Sequence, residues 1–142
     1  MKTLLVKSTA LLLALVLLFG LVACAAVEKT GVWETATYRR DMTLGDGVRT
    51  VTVEVAAEDE VITFTVKTDK ETVGAALLEE ELIAGEEGDF GLYIKTVNGM
   101  TADYDVDRSY WAFYIDGDYA MSGVDGTAID EQATYRLEYT RG

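Results

Sequence analysis

The clearest alternation of apolar and polar residues lies between residues 110 and 124. From Tyr110 to Asp116, successive side chains point to opposite faces of a predicted strand, one apolar and the other rich in tyrosine. The apolar face comprises Trp111, Phe113 and Ile115. The dipeptide Asp116-Gly117 is typical of a two-residue hairpin turn, because both positions require a positive φ. The segment therefore predicts a strand, a tight turn and a return, with Trp111 in the core.

Two other segments, 48–55 and 61–67, show the same alternation and are separated by the polar run 58–60. Their inward-facing positions are Val51, Val53, Val55, Ile62, Phe64 and Val66. They predict an antiparallel hairpin. A helix is predicted from Lys70 to about Glu81, with Thr68-Asp69 as its cap, because Val73, Ala76 and Leu77 recur at helical spacing. Glu80 falls near that apolar stripe, so the regular helix is expected to end before it.

The remaining segments complete the predicted fold. Residues 84–89 are predicted to be a loop, 90–97 a strand before the Asn98-Gly99 turn, and 134–139 the last strand. Residues 25–47 are predicted to form a spacer that is too apolar for a purely solvated tether, and we expect part of it to form one extra strand. The pattern predicts an α+β fold with the plan of a β-grasp domain, in which a mixed sheet of about five strands packs on one helix.

The N-terminus predicts export and lipid attachment. A basic start at Lys2 and Lys7 precedes an apolar run from Ala10 to Ala23, which is too short to cross a bilayer comfortably. The junction Leu21-Val22-Ala23-Cys24 resembles the lipobox of bacterial lipoproteins, with Cys24 as the lipidated residue. The alternatives are a simple signal peptide and an uncleaved anchor with a free thiol. We expect a signal peptide at 1–23, a spacer at 24–47 and a domain at 48–142, on the extracytoplasmic face of the cell membrane.

Charge and composition narrow the function. The chain has 12 Lys and Arg against 25 Asp and Glu, a net charge of −13, so it would be repelled by nucleic acid. It contains no histidine, the commonest general base and metal ligand. This composition argues against zinc chemistry and a Ser-His-Asp triad. Paired carboxylates for glycoside hydrolysis stay open, because their separation is not visible in a sequence. We expect no enzymatic activity and no required cofactor.

The acidic run 103–107 begins like a calcium loop, with aspartates at alternate positions. The sixth position is Arg108 in place of glycine, and the twelfth is Tyr114 in place of glutamate, so the EF-hand pattern fails. The alternative interpretation is a solvated acidic loop.

Tyrosines give the better indication of a binding site. If the strands pack as predicted, one sheet face carries an aromatic strip with two cations: Tyr93, Lys95, Tyr110, Tyr114 and Arg136. Flat rings with hydroxyl tips suit an amphipathic macrocycle, a sugar or a peptide surface. Cross-strand pairing that only stabilises the sheet is an equally open interpretation. The loop 118–126, with Tyr119 and Met121, contacts a ligand in the first interpretation and only connects strands in the second.

Several of these segments together resemble a known family. They are the helix entry 68–77, the Gly91-Leu92-Tyr93 strand opening, the Val97-Asn98-Gly99 turn, and the run from Tyr110-Trp111 through Gly117 to Gly123-Val124. From about Val51 to Tyr139 the chain resembles a bacterial lipoprotein domain family that is similar to the C-terminal domain of transcobalamin and intrinsic factor. The resemblance implies a β-grasp module that binds a soluble ligand, with cobalamin or another corrinoid as the candidate. In transcobalamin a separate helical barrel covers the other face of the ligand, and we expect no such barrel within these 142 residues.

Two functional hypotheses follow. The first is a lipid-anchored ligand-binding module, with a corrinoid as one candidate ligand. The second is a protein or cell-wall interaction module at the cell surface, without a small-molecule ligand.

Overall fold

A computed structural model describes residues 31–142 as nine strands and four short helices. The strands are β1 Met42–Gly45, β2 Arg49–Ala57, β3 Glu60–Thr68, β4 Ile83–Gly88, β5 Gly91–Val97, β6 Met100–Thr101, β7 Ser109–Ile115, β8 Asp118–Tyr119 and β9 Thr134–Arg141. The α-helices are α1 Val73–Glu79 and α2 Tyr104–Asp107, and the 3-10 helices are Gly31–Thr35 and Val124–Gly126. The predicted signal peptide and Cys24 lie outside the described residues.

The main sheet has six strands in the order β1-β3-β2-β9-β7-β8. Strands β2 and β3 form the predicted antiparallel hairpin, in which Val53 lies opposite Phe64. Strand β9 runs parallel to β2 and antiparallel to β7, so the sheet is mixed. The predicted inward positions of β2 and β3 are all buried, because alternation puts every second side chain on the core face. The fold is mostly β with few helices.

The predicted sheet of about five strands needs correction. With the short strands β1 and β8, the main sheet has six strands. Strand β5, predicted to be part of it, instead belongs to a second, three-stranded sheet in the order β4-β5-β6. The segment 84–89, predicted as a loop, lies mostly within the edge strand β4. Its side chains from Ala84 to Gly88 are all exposed, so no apolar alternation marks it, and only backbone hydrogen bonds to β5 define it as a strand.

The helical content also differs from the prediction. Helix α1 begins at Val73, and the hydroxyl of Thr72 caps it by accepting a hydrogen bond from the Ala75 amide at 3.2 Å. The predicted cap residues have other partners: Thr68 accepts from the Lys70 amide and Asp69 from the Val48 amide. The helix ends at Glu79, as the position of Glu80 indicated. The short helix α2 is a second α-helix within the predicted acidic loop.

The hairpin at the end of β7 forms as predicted. Asp116 and Gly117 have φ angles of 50° and 86°, the positive values that a tight two-residue turn requires. The carboxylate of Asp116 also accepts a hydrogen bond from the Thr134 amide at 2.9 Å. The turn is therefore tied to the start of β9.

The part of the predicted spacer that the structure describes packs on the same core. Trp33 is 1% exposed, and its indole N–H donates to the Ala57 carbonyl at 2.9 Å. The predicted extra strand is β1, which pairs in parallel with β3. Within residues 31–142, no helix has the length and apolar character needed to cross a membrane.

Candidate functional site

Two adjacent grooves lie where the second sheet meets β7. The first, here called the tyrosine groove, has a volume of about 620 Å³. Its principal lining residues are Glu86, Tyr93, Lys95, Asp103, Tyr104 and Tyr110. Strand β5 supplies Tyr93 and Lys95 on one face because they are two positions apart. Tyr104 comes from α2 and Tyr110 from β7, and their ring centroids are 6.5 Å apart.

An ion pair lies in the tyrosine groove. The ammonium Nζ of Lys95 is 3.2 Å from Oε1 of Glu86, across the β4–β5 pair. The hydrogen bond and charge of Glu86 raise the pKa of Lys95 above its ordinary value, and the charge of Asp103 adds to the effect. Lys95 is therefore protonated at neutral pH and is already bound to a carboxylate.

The aspartates of the 103–107 run hold a turn of chain. Asp103 caps α2 by accepting a hydrogen bond from the Asp105 amide at 3.0 Å. Asp107 accepts hydrogen bonds from the hydroxyl and the amide of Ser109, and the hydroxyl bond is the main cause that lowers its pKa. No group of three or more acidic, histidine or cysteine side chains within 31–142 is arranged to hold a metal ion. The carboxylates of Asp103 and Asp107 thus have hydrogen-bond partners within or directly after α2.

The second groove, here called the loop groove, lies between β5, β7 and the segment 119–126, with a volume of about 750 Å³. Its principal lining residues are Phe90, Leu92, Tyr93, Tyr119, Met121 and Asp125. Tyr93 and Tyr110 line both grooves. These volumes fall in the range of small-molecule sites in proteins, about 300–1,000 Å³.

Apolar side chains are unusually exposed around the loop groove. Phe90, in the turn between β4 and β5, and Met121, in the loop after β8, are both fully exposed. Tyr119 and Tyr93 are also exposed, at 64% and 45%. Nine large apolar side chains are exposed within residues 31–142, and these four line a single groove.

The segment 119–126, which borders the loop groove, is held in place by contacts with β5 and α1. The carboxylate of Asp125 accepts a hydrogen bond from the Leu92 amide at 3.2 Å, which joins the loop to the start of β5. Val124 is buried. Gly74 of α1 packs so closely on this segment that an added Cβ would lie 2.8 Å from the Asp125 nitrogen. The helix therefore supports the groove from behind, and the site is built on packed elements.

Trp111 is a core residue, as its position in the alternation predicted, and it is 7% exposed. Its ring packs edge-on against Tyr139, with the centroids 5.5 Å apart. It also lines the loop groove. Its indole nitrogen is buried without a hydrogen-bond partner in the described part of the chain.

The structure divides the predicted site residues into separate groups. Tyr93, Lys95 and Tyr110 come together in the tyrosine groove, and Tyr119 and Met121 border the loop groove. One continuous strip on one sheet is therefore wrong, because β5 belongs to the second sheet.

The other two predicted site residues, Tyr114 and Arg136, face each other across β7 and β9 and line neither groove. Arg136 forms ion pairs with Glu54 and Glu138 on the main sheet. Tyr114 packs edge-on against Tyr119, with ring centroids 5.6 Å apart. Their contacts are those of cross-strand pairs.

Several groove residues, among them Phe90, Tyr104 and Asp125, were not predicted as candidates. The sequence pattern predicts Phe90 as the first residue of a strand, but Phe90 lies in the turn between β4 and β5, flanked by Asp89 and Gly91. Tyr104 lies within the acidic run 103–107, and an aromatic side chain in such a polar segment could have indicated a contact site. Asp125 gives no signal in the sequence, because its contact with Leu92 spans 33 residues.

Comparison with known proteins identifies the family. Residues 71–141, half of the chain, match the family described as a domain of unknown function, DUF4430, and the chain belongs to that family. No curated protein matches the chain.

Solved structures extend the comparison. A protein from Ruminococcus gnavus ATCC 29149, described as a "putative metal binding protein", is 30% identical with a TM-score of 0.62. The match covers 66% of this chain and 98% of that protein. Haptocorrin in complex with Cbi is 16% identical with a TM-score of 0.51, over 68% of this chain and 26% of haptocorrin. The predicted likeness to the transcobalamin group is confirmed at the level of the fold, and the finer β-grasp assignment stays a prediction.

Proposed function

We propose that this chain is a ligand-binding module, anchored by a lipid on Cys24 at the extracytoplasmic face of the cell membrane, and that its ligand lies in the loop groove. The observation that carries the proposal is the concentration of exposed apolar side chains on that groove. Single exposed apolar residues are ordinary, whereas a contiguous exposed patch in a concave surface is typical of a binding site.

The position of the two fully exposed residues supports a ligand held between two turns. Phe90 lies in the turn of the β4–β5 pair, and Met121 lies in the loop that follows the β7–β8 pair. Neither side chain buries its apolar surface in the folded chain. Covering such a side chain with a ligand contributes about 1.5–3 kcal/mol when its burial is complete.

The proposed ligand is a flat amphipathic molecule with a ring system, and a corrinoid is the first candidate. Tyr93, Tyr110 and Tyr119 offer rings for apolar contact and hydroxyls for hydrogen bonds. The fold likeness to haptocorrin supports testing a corrinoid first. In this proposal the chain performs no catalysis, and a partner or a second copy covers the exposed side of a large ligand.

Calorimetric titration of the full-length chain, purified in a non-ionic detergent, with cobinamide and cobalamin tests the proposal. We expect saturable heat and a change in corrinoid absorbance. Met121→Ala should weaken binding by roughly 5- to 30-fold, which corresponds to about 1–2 kcal/mol of lost apolar contact. Val48→Ala is the matched control, because Val48 is also highly exposed and lies outside both grooves.

The absence of heat and of a spectral change with both corrinoids would overturn the corrinoid assignment. Equal binding by Met121→Ala, Phe90→Ala and the wild type would overturn the assignment of the loop groove.

The competing hypothesis is a surface or cell-wall interaction module, in which Phe90 and Met121 insert into another macromolecule. Crosslinking in intact membranes distinguishes it. A stable partner that is lost in Met121→Ala, together with silent corrinoid titrations, would favour this second function over the first.

The lipid anchor is tested separately. Radiolabelled palmitate should appear on the wild-type chain and not on Cys24→Ala. A labelled Cys24→Ala chain would contradict lipidation at that residue.

A further inference from the structure

We propose that the tyrosine groove is a separate binding site for a small organic cation with a quaternary ammonium group, of which choline is the simplest probe. The tyrosine groove shares Tyr93 and Tyr110 with the loop groove, so the two sites are distinguished by residues that line only one of them. The inference depends on the rings and the charges that the groove brings together.

Three tyrosine rings line this groove: Tyr93, Tyr104 and Tyr110. The planes of Tyr104 and Tyr110 are inclined at 58° with their centroids 6.5 Å apart, so a cation between them can lie near both rings. The face of an aromatic ring attracts a cation within about 6 Å of its centroid, and cages of such rings recognise quaternary ammonium groups. Tyr93 and Tyr104 are half exposed, so a ligand can reach them from solvent.

The charges in the groove favour the same class of ligand. Among the groove-lining residues that the structure describes, Glu86, Asp103 and Asp105 contribute three carboxylates against the single ammonium of Lys95. Lys95 is bound to Glu86 at 3.2 Å, and the negative charges of Asp103 and Asp105, the first of which also caps α2, add to the field that attracts a cation. The net charge of −13 on the whole chain acts in the same direction. Betaine and phosphocholine each carry an anionic group, and this field disfavours them relative to choline.

A quaternary ammonium fits the groove better than a bare metal ion does. Within residues 31–142 the carboxylates do not form a metal-binding group, and Asp103 is engaged as the cap of α2. A volume of about 620 Å³ accommodates a bulky cation that keeps no tight oxygen shell.

NMR titration of the isotopically labelled full-length chain with choline tests the proposal. The detergent must be a non-ionic maltoside, because a phosphocholine detergent presents the ligand chemistry itself. We expect progressive shifts of the amide signals of Tyr93, Tyr104 and Tyr110, with an affinity of roughly millimolar order. The neutral isostere 3,3-dimethyl-1-butanol has the shape of choline without its charge and should bind at least about fivefold more weakly.

Substitutions of Tyr104 and Lys95 should change choline affinity in opposite directions. Tyr104→Ala should weaken choline binding roughly three- to tenfold, and Tyr104→Phe should restore most of it because the ring is kept. Lys95→Gln should tighten choline binding, because Lys95 is the one cationic side chain among the described residues that line the groove. Tyr119→Ala, which alters the loop groove alone, is the matched control and should leave choline binding unchanged.

Three results would overturn the inference: no shifts at tens of millimolar choline, equal binding of the neutral isostere, or weaker choline binding by Lys95→Gln. Tighter binding to phosphatidylcholine vesicles than to free choline would identify a lipid headgroup as the ligand. That result would contradict the expected preference for free choline over phosphocholine. Corrinoid binding by the same samples is read separately, since Tyr104 and Lys95 line only the tyrosine groove.

Discussion

The side chain of Asn98 allows a direct test of how the segment before β1 is joined to the second sheet. It is 1% exposed, in the turn between β5 and β6. Its Oδ1 accepts from the Tyr38 amide at 2.9 Å, and its Nδ2 donates to the Tyr38 carbonyl at 2.8 Å. One side chain thus joins the N-terminal segment to the sheet that carries Tyr93 and Lys95.

The size of the effect follows from these two bonds. Asn98→Gly removes both but keeps the positive φ of 50°, which glycine adopts without strain. With about 1 kcal/mol for each bond and a further cost for the unpaired groups of Tyr38, we expect a loss of about 2–4 kcal/mol in the free energy of unfolding. Asn98→Ala should cost about 1 kcal/mol more, because alanine is sterically disfavoured at that φ.

Urea unfolding of the full-length chain, followed by tryptophan fluorescence, measures these losses. Hydrogen exchange of the Tyr38 amide should also accelerate in Asn98→Gly. Glu81→Ala is the control, since Glu81 is exposed at a φ of 53°, and it should change stability by less than about 0.5 kcal/mol. If Asn98→Gly unfolds at the same urea concentration as the wild type, the reasoning on this link is refuted.

Two further substitutions test the support of the grooves. Gly74→Ala should lower the free energy of unfolding by about 1–3 kcal/mol, against the gain usual for alanine in a helix, because the new Cβ meets the Asp125 backbone; urea unfolding at or above wild-type stability would contradict this contact. Asp107→Asn should destabilise the chain at neutral pH, because Ser109 holds the pKa of Asp107 below its ordinary value and its contribution is present only when the carboxyl is ionised. Thermal unfolding at several pH values should show the difference from wild type shrinking as pH falls through and below the ordinary carboxyl range, and a difference independent of pH would contradict the assignment.

The alternating strands were predictable because burial on one face imposes a period of two residues. Val51, Phe64 and Leu137 all lie in the core for that reason. The Asp116-Gly117 turn was predictable because its backbone geometry restricts the residue types.

Other features depend on long-range contacts that leave no local pattern. Strand β4 has five successive exposed residues and is fixed only by pairing with β5. Helix α1 begins later than predicted. Thr68 and Asp69 accept hydrogen bonds from amides outside the helix, and Thr72 is the cap.

The site was predictable in its residue types but not in its arrangement. Five of the seven proposed contact residues line one groove or the other, whereas Tyr114 and Arg136 do not. A sequence shows that Tyr93 and Tyr110 lie on strands, but not that β5 belongs to a second sheet. The grooves exist because of that division.

The most direct test of the proposed loop groove uses the only two tryptophans of the chain, Trp33 and Trp111. Trp111 lines the groove, and Trp33 is buried with its indole N–H bonded to Ala57. In an NMR spectrum of the full-length chain labelled at the tryptophan indole nitrogens, added cobinamide should shift the Trp111 signal and leave that of Trp33 unchanged. Saturating cobinamide that leaves both signals in place, or shifts both equally, would contradict a ligand in this groove.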